Sequence, residues 1–271
     1  MNSRYSDNSY RSGWLVEQYK ELIAATRFLS IIPLPGSAQL FRTDTTERRV
    51  ILGSAYFPIV GLLLAFGAVV ITWIFGSVVP QLVLSALLVV ALVILTGGLH
   101  LDGLMDTCDG FFGGKEREDK LEIMRDSRVG SFGVLGAGCV LLLKFALLAS
   151  IDSHTLPTVL FTILPITRWE LVLVMCQFPS ARQSGLGAAL RRTVTPQRLG
   201  ISGALSLVCA LLFGHFLLGM VLWFAGSALA YVLGIWLSGR LGGLTGDTYG
   251  AISEVSEVVL LLIFLLIHSW I

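Results

Sequence analysis

The chain is short of charge. Only 14% of its 271 residues are Asp, Glu, Lys or Arg, whereas about 25% is usual for a soluble domain. Residues 51–99 and 201–239 contain none of these four types. With 55% hydrophobic residues and a mean hydropathy of +0.80, one soluble core could not bury the apolar surface. We therefore exclude a soluble domain and predict a membrane protein, because lipid can solvate the outer faces of its helices.

Other features are missing too. The four cysteines are scattered, so we expect neither a CxxC redox pair nor a disulfide framework. The net charge of +1 provides no bulk attraction to nucleic acid, which we exclude as a partner. The N-terminus is polar and lacks the hydrophobic stretch of a cleavable signal peptide, so internal helices must direct membrane insertion.

The uncharged stretches are long enough for several crossings, since one helical span takes about 20 residues. The predicted fold class is all-α, a polytopic transmembrane helix bundle of about seven spans, with six and eight as the alternatives. Gly and Pro near 76–80, and Gly214 and Gly219 around His215, supply breaks. The predicted spans are 54–76, 81–98, 132–150, 156–176, two within 201–239, and a short one at 258–271.

Basic residues alternate between the connections. Lys and Arg number seven in residues 1–50, five in 99–131 and four in 177–198, and the intervening connections have none. The positive-inside rule then predicts a cytoplasmic N-terminus and cytoplasmic basic connections. We expect residues 1–271 to form a single integral membrane domain, with residues 1–18 as a polar N-terminal tail for which disorder is one expectation.

An acidic motif, GGLHLDGLMDTCDG at 97–110, follows the second predicted span. Its Asp102, Asp106 and Asp109 are spaced i, i+4, i+7, which places three carboxylates on one face of a helix. Such carboxylates repel one another at a membrane boundary unless a divalent cation neutralises them. Oxygen ligands without a Cys/His cluster favour Mg²⁺ or Mn²⁺. We predict a metal site here, and the alternative is a solvated acidic helix end.

The start of this motif recurs near the C-terminus. Residues 242–247, GGLTGD, repeat the GGLxxD pattern at an offset of 145 residues, and Glu254 then corresponds to Asp109. Asp106 has no acidic counterpart, because Ala251 stands at that place. If the repeat is real, Asp247 and Glu254 could join the first acidic cluster at one site. That arrangement would suit two-metal phosphoryl transfer.

Several other residues are candidates for the same site. His100 adjoins the acids and is a metal ligand, a general base or a plain interfacial residue. Arg125 and Arg128 lie one turn apart, and either bind phosphate oxygens or only follow the positive-inside pattern. Arg168 lies inside a predicted span, where phosphate binding, snorkelling and an internal ion pair all remain open.

These stretches resemble the cobalamin synthase family, the adenosylcobinamide-GDP ribazoletransferases. The resemblance covers nearly the whole chain from about Tyr19, and the acidic motif is its most specific part. Met105 and Leu244 depart from the family's common Ala and Val, and neither change affects an acid. The other matching stretches are YFPIVG at 56–61, DSRVG at 126–130, Arg168, Ala181-Arg182, GLG at 185–187, and GLTGD at 243–247 with Glu254.

The resemblance implies a Mg²⁺-dependent phosphotransferase of a prokaryotic cytoplasmic (inner) membrane. Such an enzyme joins adenosylcobinamide-GDP to α-ribazole, or to its 5′-phosphate, and releases GMP in the last step of vitamin B12 assembly. The residues expected to hold the metal are Asp102, Asp106, Asp109, Asp247 and Glu254. Those expected to bind substrate are Arg125, Ser127, Arg128, Arg168 and Arg182. The candidate catalytic residues are His100, Asp102, Asp106 and Asp247.

Two other functions are weighed against this one. Phospholipid synthases of the CDP-alcohol type also place spaced aspartates at helix ends, but their Asp-Gly continues as DGxxAR, and here Leu104, Met105 and Asp106 follow. Transporters share polar residues within spans and internal repeats, although their sites usually lie near the bilayer midplane. Besides the lipid bilayer and the substrates, other corrinoid-pathway enzymes are hypothetical partners.

Overall fold

The computed structural model describes residues 4–34, 53–183 and 186–268, and within them the chain is helical. A short 3₁₀ turn, Ser54–Tyr56, precedes the second helix. The α-helices are α1 (Arg4–Leu29), α2 (Phe57–Phe75), α3 (Gln81–Leu95), α4 (Leu99–Gly113), α5 (Arg117–Ile123), α6 (Ser131–Ala149), α7 (Leu156–Gln177), α8 (Leu186–Thr193), α9 (Pro196–Phe213), α10 (Phe216–Leu241) and α11 (Gly246–His268).

Six helices are long and apolar enough to cross a membrane: α2, with the 3₁₀ turn before it, α6, α7, α9, α10 and α11. A seventh span results if α3 and α4 are counted together, although the two meet at an 88° bend. The predicted polytopic bundle of six to eight spans is thereby confirmed for the described residues. Side chains such as Leu217 and Leu212, 76% and 73% exposed, are suited to contact lipid.

Two boundaries differ from the predicted ones. The last membrane helix begins at Gly246, not near residue 258, because acids that look like loop residues in the sequence are buried on this helix. Residues 269–271 of that predicted span lie outside the described residues. At the other end, α1 begins at Arg4, so most of the predicted polar tail is helical.

Helix α7 lies at the centre of the bundle and packs against α2, α9, α10 and α11. Its contact with α2 is close at Gly61, where an added Cβ would lie 2.7 Å from the backbone of Pro165. Small residues at such crossings allow membrane helices to approach closely, which supports packing without a hydrophobic driving force. The surrounding core is built from fully buried side chains such as Leu64, Leu88, Ile163 and Leu260.

The basic connections meet at one end of the bundle. Arg117 at the start of α5 donates hydrogen bonds to the carbonyls of Leu241 (2.7 Å) and Ala181 (3.2 Å). The backbone N–H of Ala181 in turn donates to the Leu244 carbonyl at 2.9 Å. Connections that are distant in sequence are thus joined around the start of α11.

Candidate functional site

The two acidic motifs meet where α4 crosses α11. A Cβ added at Gly103 would lie 2.7 Å from the carbonyl oxygen of Asp247, and one added at Gly250 would lie 2.8 Å from that of His100. Only glycine permits two backbones to approach so closely. The crossing therefore brings Asp102 and Asp247, each in the first turn of its helix, to the same end of the bundle.

Each acidic helix begins after a pair of glycines with positive φ. Gly97 and Gly98 have φ of 63° and 72°, and Gly242 and Gly243 have φ of 70° and 144°. Residues with a Cβ rarely adopt these conformations, so the doublets end one helix and redirect the chain into the next. The short repeat seen in the sequence thus corresponds to a repeated helix–turn–acidic helix unit.

Arg182 is the cation closest to these acids. Its Nη1 lies 3.6 Å from Oδ2 of Asp247, and its Nη2 donates to the Leu121 carbonyl at 3.2 Å. Desolvation lowers the pKa of its guanidinium, and the nearby Asp247 opposes that effect. Arg125 is exposed, yet its positive charge also reaches Arg182 and contributes to the lowering.

Asp106 lies one turn after Asp102 and is half-buried. Its carboxylate interacts electrostatically with Asp102, Asp109 and Asp247, and with Arg182 as the nearby cation. Within the described ranges, the side-chain carboxylates of Asp102 and Asp106 form neither a hydrogen bond nor an ion pair. We call Asp102, Asp106, Asp247 and Arg182 the acidic site. Its negative charges outnumber the cation that it contains, so it is suited to bind a positively charged or charge-neutralised ligand.

Asp109 points to a different place. Its two carboxylate oxygens accept hydrogen bonds from the backbone N–H groups of Gly130 (2.8 Å) and Gly133 (2.7 Å) at the start of α6. A carboxylate at a helix N-terminus satisfies N–H groups that have no partner within the helix. Asp109 therefore anchors the start of α6 against α4. Because both of its carboxylate oxygens already accept hydrogen bonds, the structure does not support the predicted role of Asp109 as a metal ligand.

Glu254 and Arg168 belong to a second, buried group of charges. Lys144 Nζ lies 2.6 Å from Glu254 and 2.5 Å from Glu257, and Arg168 Nη1 lies 2.5 Å from the other oxygen of Glu257. We call these four residues the buried ion cluster. Of the alternatives for Arg168, the structure has the internal ion pair. Neither Glu254 nor Arg168, both predicted for the metal or phosphate site, joins the acidic site.

The remaining predicted substrate residues lie in the connection between α5 and α6. Arg128 is exposed and forms a two-pronged contact with Asp126, with Nη2 to Oδ2 at 2.5 Å and Nε to Oδ1 at 3.0 Å. These hydrogen bonds lower the pKa of Asp126 to about 2. Ser127, which lies between them, is exposed. Ser127 and Arg128 are available to solvent, and within the described part of the chain no hydrogen bond or ion pair joins them to the acidic site.

A cavity of about 140 Å³ adjoins the acidic site and is lined by Asp102, Asp247 and Arg182. His100 also lines it, is 3% exposed, and has no hydrogen-bond partner at Nδ1 within the described residues. We call it the site cavity. Sequence patterns did not predict its other walls, which are contributed by α1, α7, α8 and α11. These walls include Phe28, Leu29, Leu171, Met175, Leu190 and Tyr249.

The carboxylates do not form a complete metal site by themselves. Among the described residues, no three His, Cys, Asp or Glu side chains are gathered closely enough to hold an ion. The donors of the acidic site still have the chemistry that Mg²⁺ prefers, which is hard oxygen ligands completed by water and substrate phosphates. The arrangement fits an ion that arrives together with a phosphorylated ligand.

Fold and site together define a polytopic helical membrane protein with an acid- and arginine-lined cavity at one end of its bundle. More narrowly, the chain belongs to the family described as cobalamin-5-phosphate synthase, whose model matches residues 21–265.

Three similar curated relatives are each named adenosylcobinamide-GDP ribazoletransferase. The relative from Roseiflexus sp. (strain RS-1) is 39% identical and covers 88% of this chain and 86% of its own length. The relative from Desulforamulus reducens is 37% identical, with 92% and 97% covered, and that from Desulfitobacterium hafniense (strain Y51) is 38% identical, with 90% and 95% covered. No solved structure matches the chain significantly.

Proposed function

We propose that this protein is the phosphotransferase that joins adenosylcobinamide-GDP to α-ribazole, or to its 5′-phosphate, and releases GMP. The observation that carries the proposal is the meeting of Asp102 and Asp247 beside Arg182, in a chain whose relatives have the ribazoletransferase name. The bonds balance as follows. The ribose hydroxyl oxygen forms a bond to the phosphorus nearest the cobinamide, and the bond from that phosphorus to the GMP oxygen breaks.

The chain's own residues have separate tasks in this reaction. Arg182 contacts the phosphate oxygens, because a guanidinium matches their geometry and charge. Asp247 takes the proton of the attacking hydroxyl, and the Thr245 hydroxyl, which donates to Asp247 Oδ2 at 3.2 Å, orients it. Positioning and electrostatics supply most of the rate in such phosphoryl transfers.

Mg²⁺ is part of the proposal. Asp102 and Asp106 would hold it, and Asp247, besides taking the proton, would supply the third carboxylate. When bound, the ion would neutralise charge that develops on the phosphate oxygens. Among the described residues Asp102 and Asp106 form no ion pair, which supports this role, since Arg182 alone does not balance the carboxylates of the acidic site.

The proposed location is the cytoplasmic face of the inner membrane of a bacterium. Basic connections gather at the same end as the acidic site, as the positive-inside rule requires of a cytoplasmic face. Water-soluble nucleotides would reach the site from that side. Association with other corrinoid enzymes is a hypothesis that co-purification of the native membrane protein would test.

The deciding experiment measures GMP release by the detergent-purified protein with both substrates, with and without Mg²⁺. Asp102→Asn removes one charge with little change of shape, and we expect it to lower kcat by about 10²–10³-fold. Glu118→Gln is the matched control, because this exposed acid lies at the same end and, among the described residues, its ion pair is with Arg117. Full Mg²⁺-dependent turnover by Asp102→Asn would contradict the proposal. A product with lipid acceptors instead of α-ribazole would favour the phospholipid alternative.

A further inference from the structure

The lining of the site cavity combines charged side chains with apolar ones. Asp102, Asp247 and Arg182 give one part of its lining charge. Leu171, Met175 and Leu190 give the other part an apolar surface, and Phe28 and Leu29 extend it. Such a division fits a ligand with a flat apolar body and a polar end that reacts at the acids.

Two polar atoms in this lining have no partner. Tyr249 Oη and His100 Nδ1 are buried and form no hydrogen bond within the described part of the chain. Tyr249 is 2% exposed and His100 is 3% exposed. Leaving a buried donor or acceptor unpaired costs about 1–3 kcal/mol, so both atoms are suited to a ligand that offers a ring nitrogen or a hydroxyl.

The volume restricts the ligand. An apolar cavity of about 150 Å³ binds benzene, and the site cavity measures about 140 Å³. A single small aromatic system therefore fits, and a corrinoid is much too large. Guanine has the right size, but it carries donors and acceptors around its edge. Next to Leu171, Met175 and Leu190, these donors and acceptors of guanine would lose their hydrogen bonds to water without replacement.

We propose that the site cavity binds the aromatic base of the acceptor nucleoside and directs its ribose toward Asp102 and Asp247. This inference rests on the proposed function, in which the acceptor is a ribazole, that is, a ribonucleoside with a benzimidazole base. That base is planar and mostly apolar, and it has one free ring nitrogen as an acceptor for Tyr249. The donor's pyrophosphate and corrinoid then lie outside the cavity, on the side of Arg182.

The test is direct binding of α-ribazole to the purified protein without the second substrate, measured by calorimetry, together with the KM of each substrate. Met175→Phe fills the cavity, and we expect it to raise the Kd and KM of α-ribazole at least about 10-fold, which corresponds to about 1.4 kcal/mol. The KM of adenosylcobinamide-GDP should stay unchanged. Leu217→Phe, on the exposed surface of α10, is the matched control.

Tyr249→Phe is the second variant, since it removes one hydroxyl and keeps the ring. We expect it to weaken α-ribazole binding by about 10-fold, and it carries the test if Met175→Phe does not fold. Unchanged α-ribazole affinity in the folded variants would overturn the inference, as would a rise only in the KM of the GDP substrate. A different outcome would contradict only the proposed reaction: the parent protein binds α-ribazole, the variants weaken this binding, but the parent releases no GMP. The assignment of the cavity to the base would then remain.

Discussion

Helix α11 carries two sets of charges with opposite balance. At its first turn, Asp247 belongs to the acidic site, where Arg182 faces several carboxylates. Deeper in the bundle, Glu254 and Glu257 are matched by Lys144 and Arg168 in the buried ion cluster. The comparison teaches that charge alone does not identify a site in a membrane protein. In the buried ion cluster the positive and negative charges match, and the ion pairs join helices. In the acidic site the carboxylates outnumber the cation, so the site is suited to bind a ligand.

The largest expected effect comes from breaking the balanced set. Lys144→Met leaves Glu254 without its cation and Glu257 with Arg168 alone, in the buried interior of the bundle. Removing one partner of a buried ion pair costs about 3–5 kcal/mol, so we expect a large drop in the melting temperature in detergent. Lys115→Met, in an exposed position, is the control. An unchanged melting temperature would show that the cluster contributes little to stability.

The second prediction concerns the crossing of α4 and α11, which brings Asp102 and Asp247 together. Gly103→Ala places a Cβ 2.7 Å from the Asp247 carbonyl, which pushes α4 away from α11. Because a displacement of about 1 Å can cost about 10²-fold in rate, we expect a loss of that size in kcat/KM, measured by GMP release. Gly138→Ala on α6 has open space around it and should retain activity. Equal activity of both variants would contradict the importance of the crossing.

A smaller effect is expected from the cation of the acidic site. Arg182→Lys keeps the charge but loses the planar guanidinium that donates to the Leu121 carbonyl and that we propose binds phosphate. We expect kcat/KM to fall about 10-fold, or about 1.4 kcal/mol, mainly through the KM of the pyrophosphate substrate. Arg192→Lys, exposed on α8, serves as the control. A change in α-ribazole affinity alone would assign Arg182 to the acceptor instead.

The smallest effect is expected at Arg128. Its exposed side chain is already paired with Asp126, whose pKa is about 2. The pKa of the Asp126 carboxyl is lowered from its ordinary value of 3.8. The ion pair with Arg128 is therefore fully formed above pH 3.8 and is lost only as the pH falls toward 2. Arg128→Ala should therefore change kcat/KM by about two-fold or less at neutral pH. A large loss would show that Arg128 reaches the substrate, as the sequence predicts.

Much of the fold follows from hydropathy. The apolar stretches, with their Gly and Pro breaks, locate α2, α6, α7, α9 and α10, because lipid imposes a minimum length on apolar helices. The start of α11 does not follow from hydropathy, since Glu254 and Glu257 look like loop residues until Lys144 is known to pair with them. That partner lies 110 residues away from Glu254.

The candidate site is predictable in part for a similar reason. The spacing of Asp102 and Asp106 and the repeated Gly-Gly-Leu pattern are local, so the sequence contains them. The glycine crossing that unites Asp102 with Asp247 and the engagement of Asp109 by α6 are tertiary contacts without a local signal. The apolar lining of the site cavity comes from four helices, and no periodicity distinguishes Met175 or Leu190 from ordinary core residues.

The bend between α3 and α4 has a consequence for the surrounding lipid. Helix α3 has 15 residues and rises about 22 Å, whereas the hydrocarbon core is about 30 Å thick. A span formed by α3 alone would therefore be too short, and we expect the bilayer beside it to thin to meet the mismatch. Such thinning would bring the head-group layer closer to Asp102, in the first turn of α4, so that hydrophilic molecules could approach the carboxylates without crossing hydrocarbon.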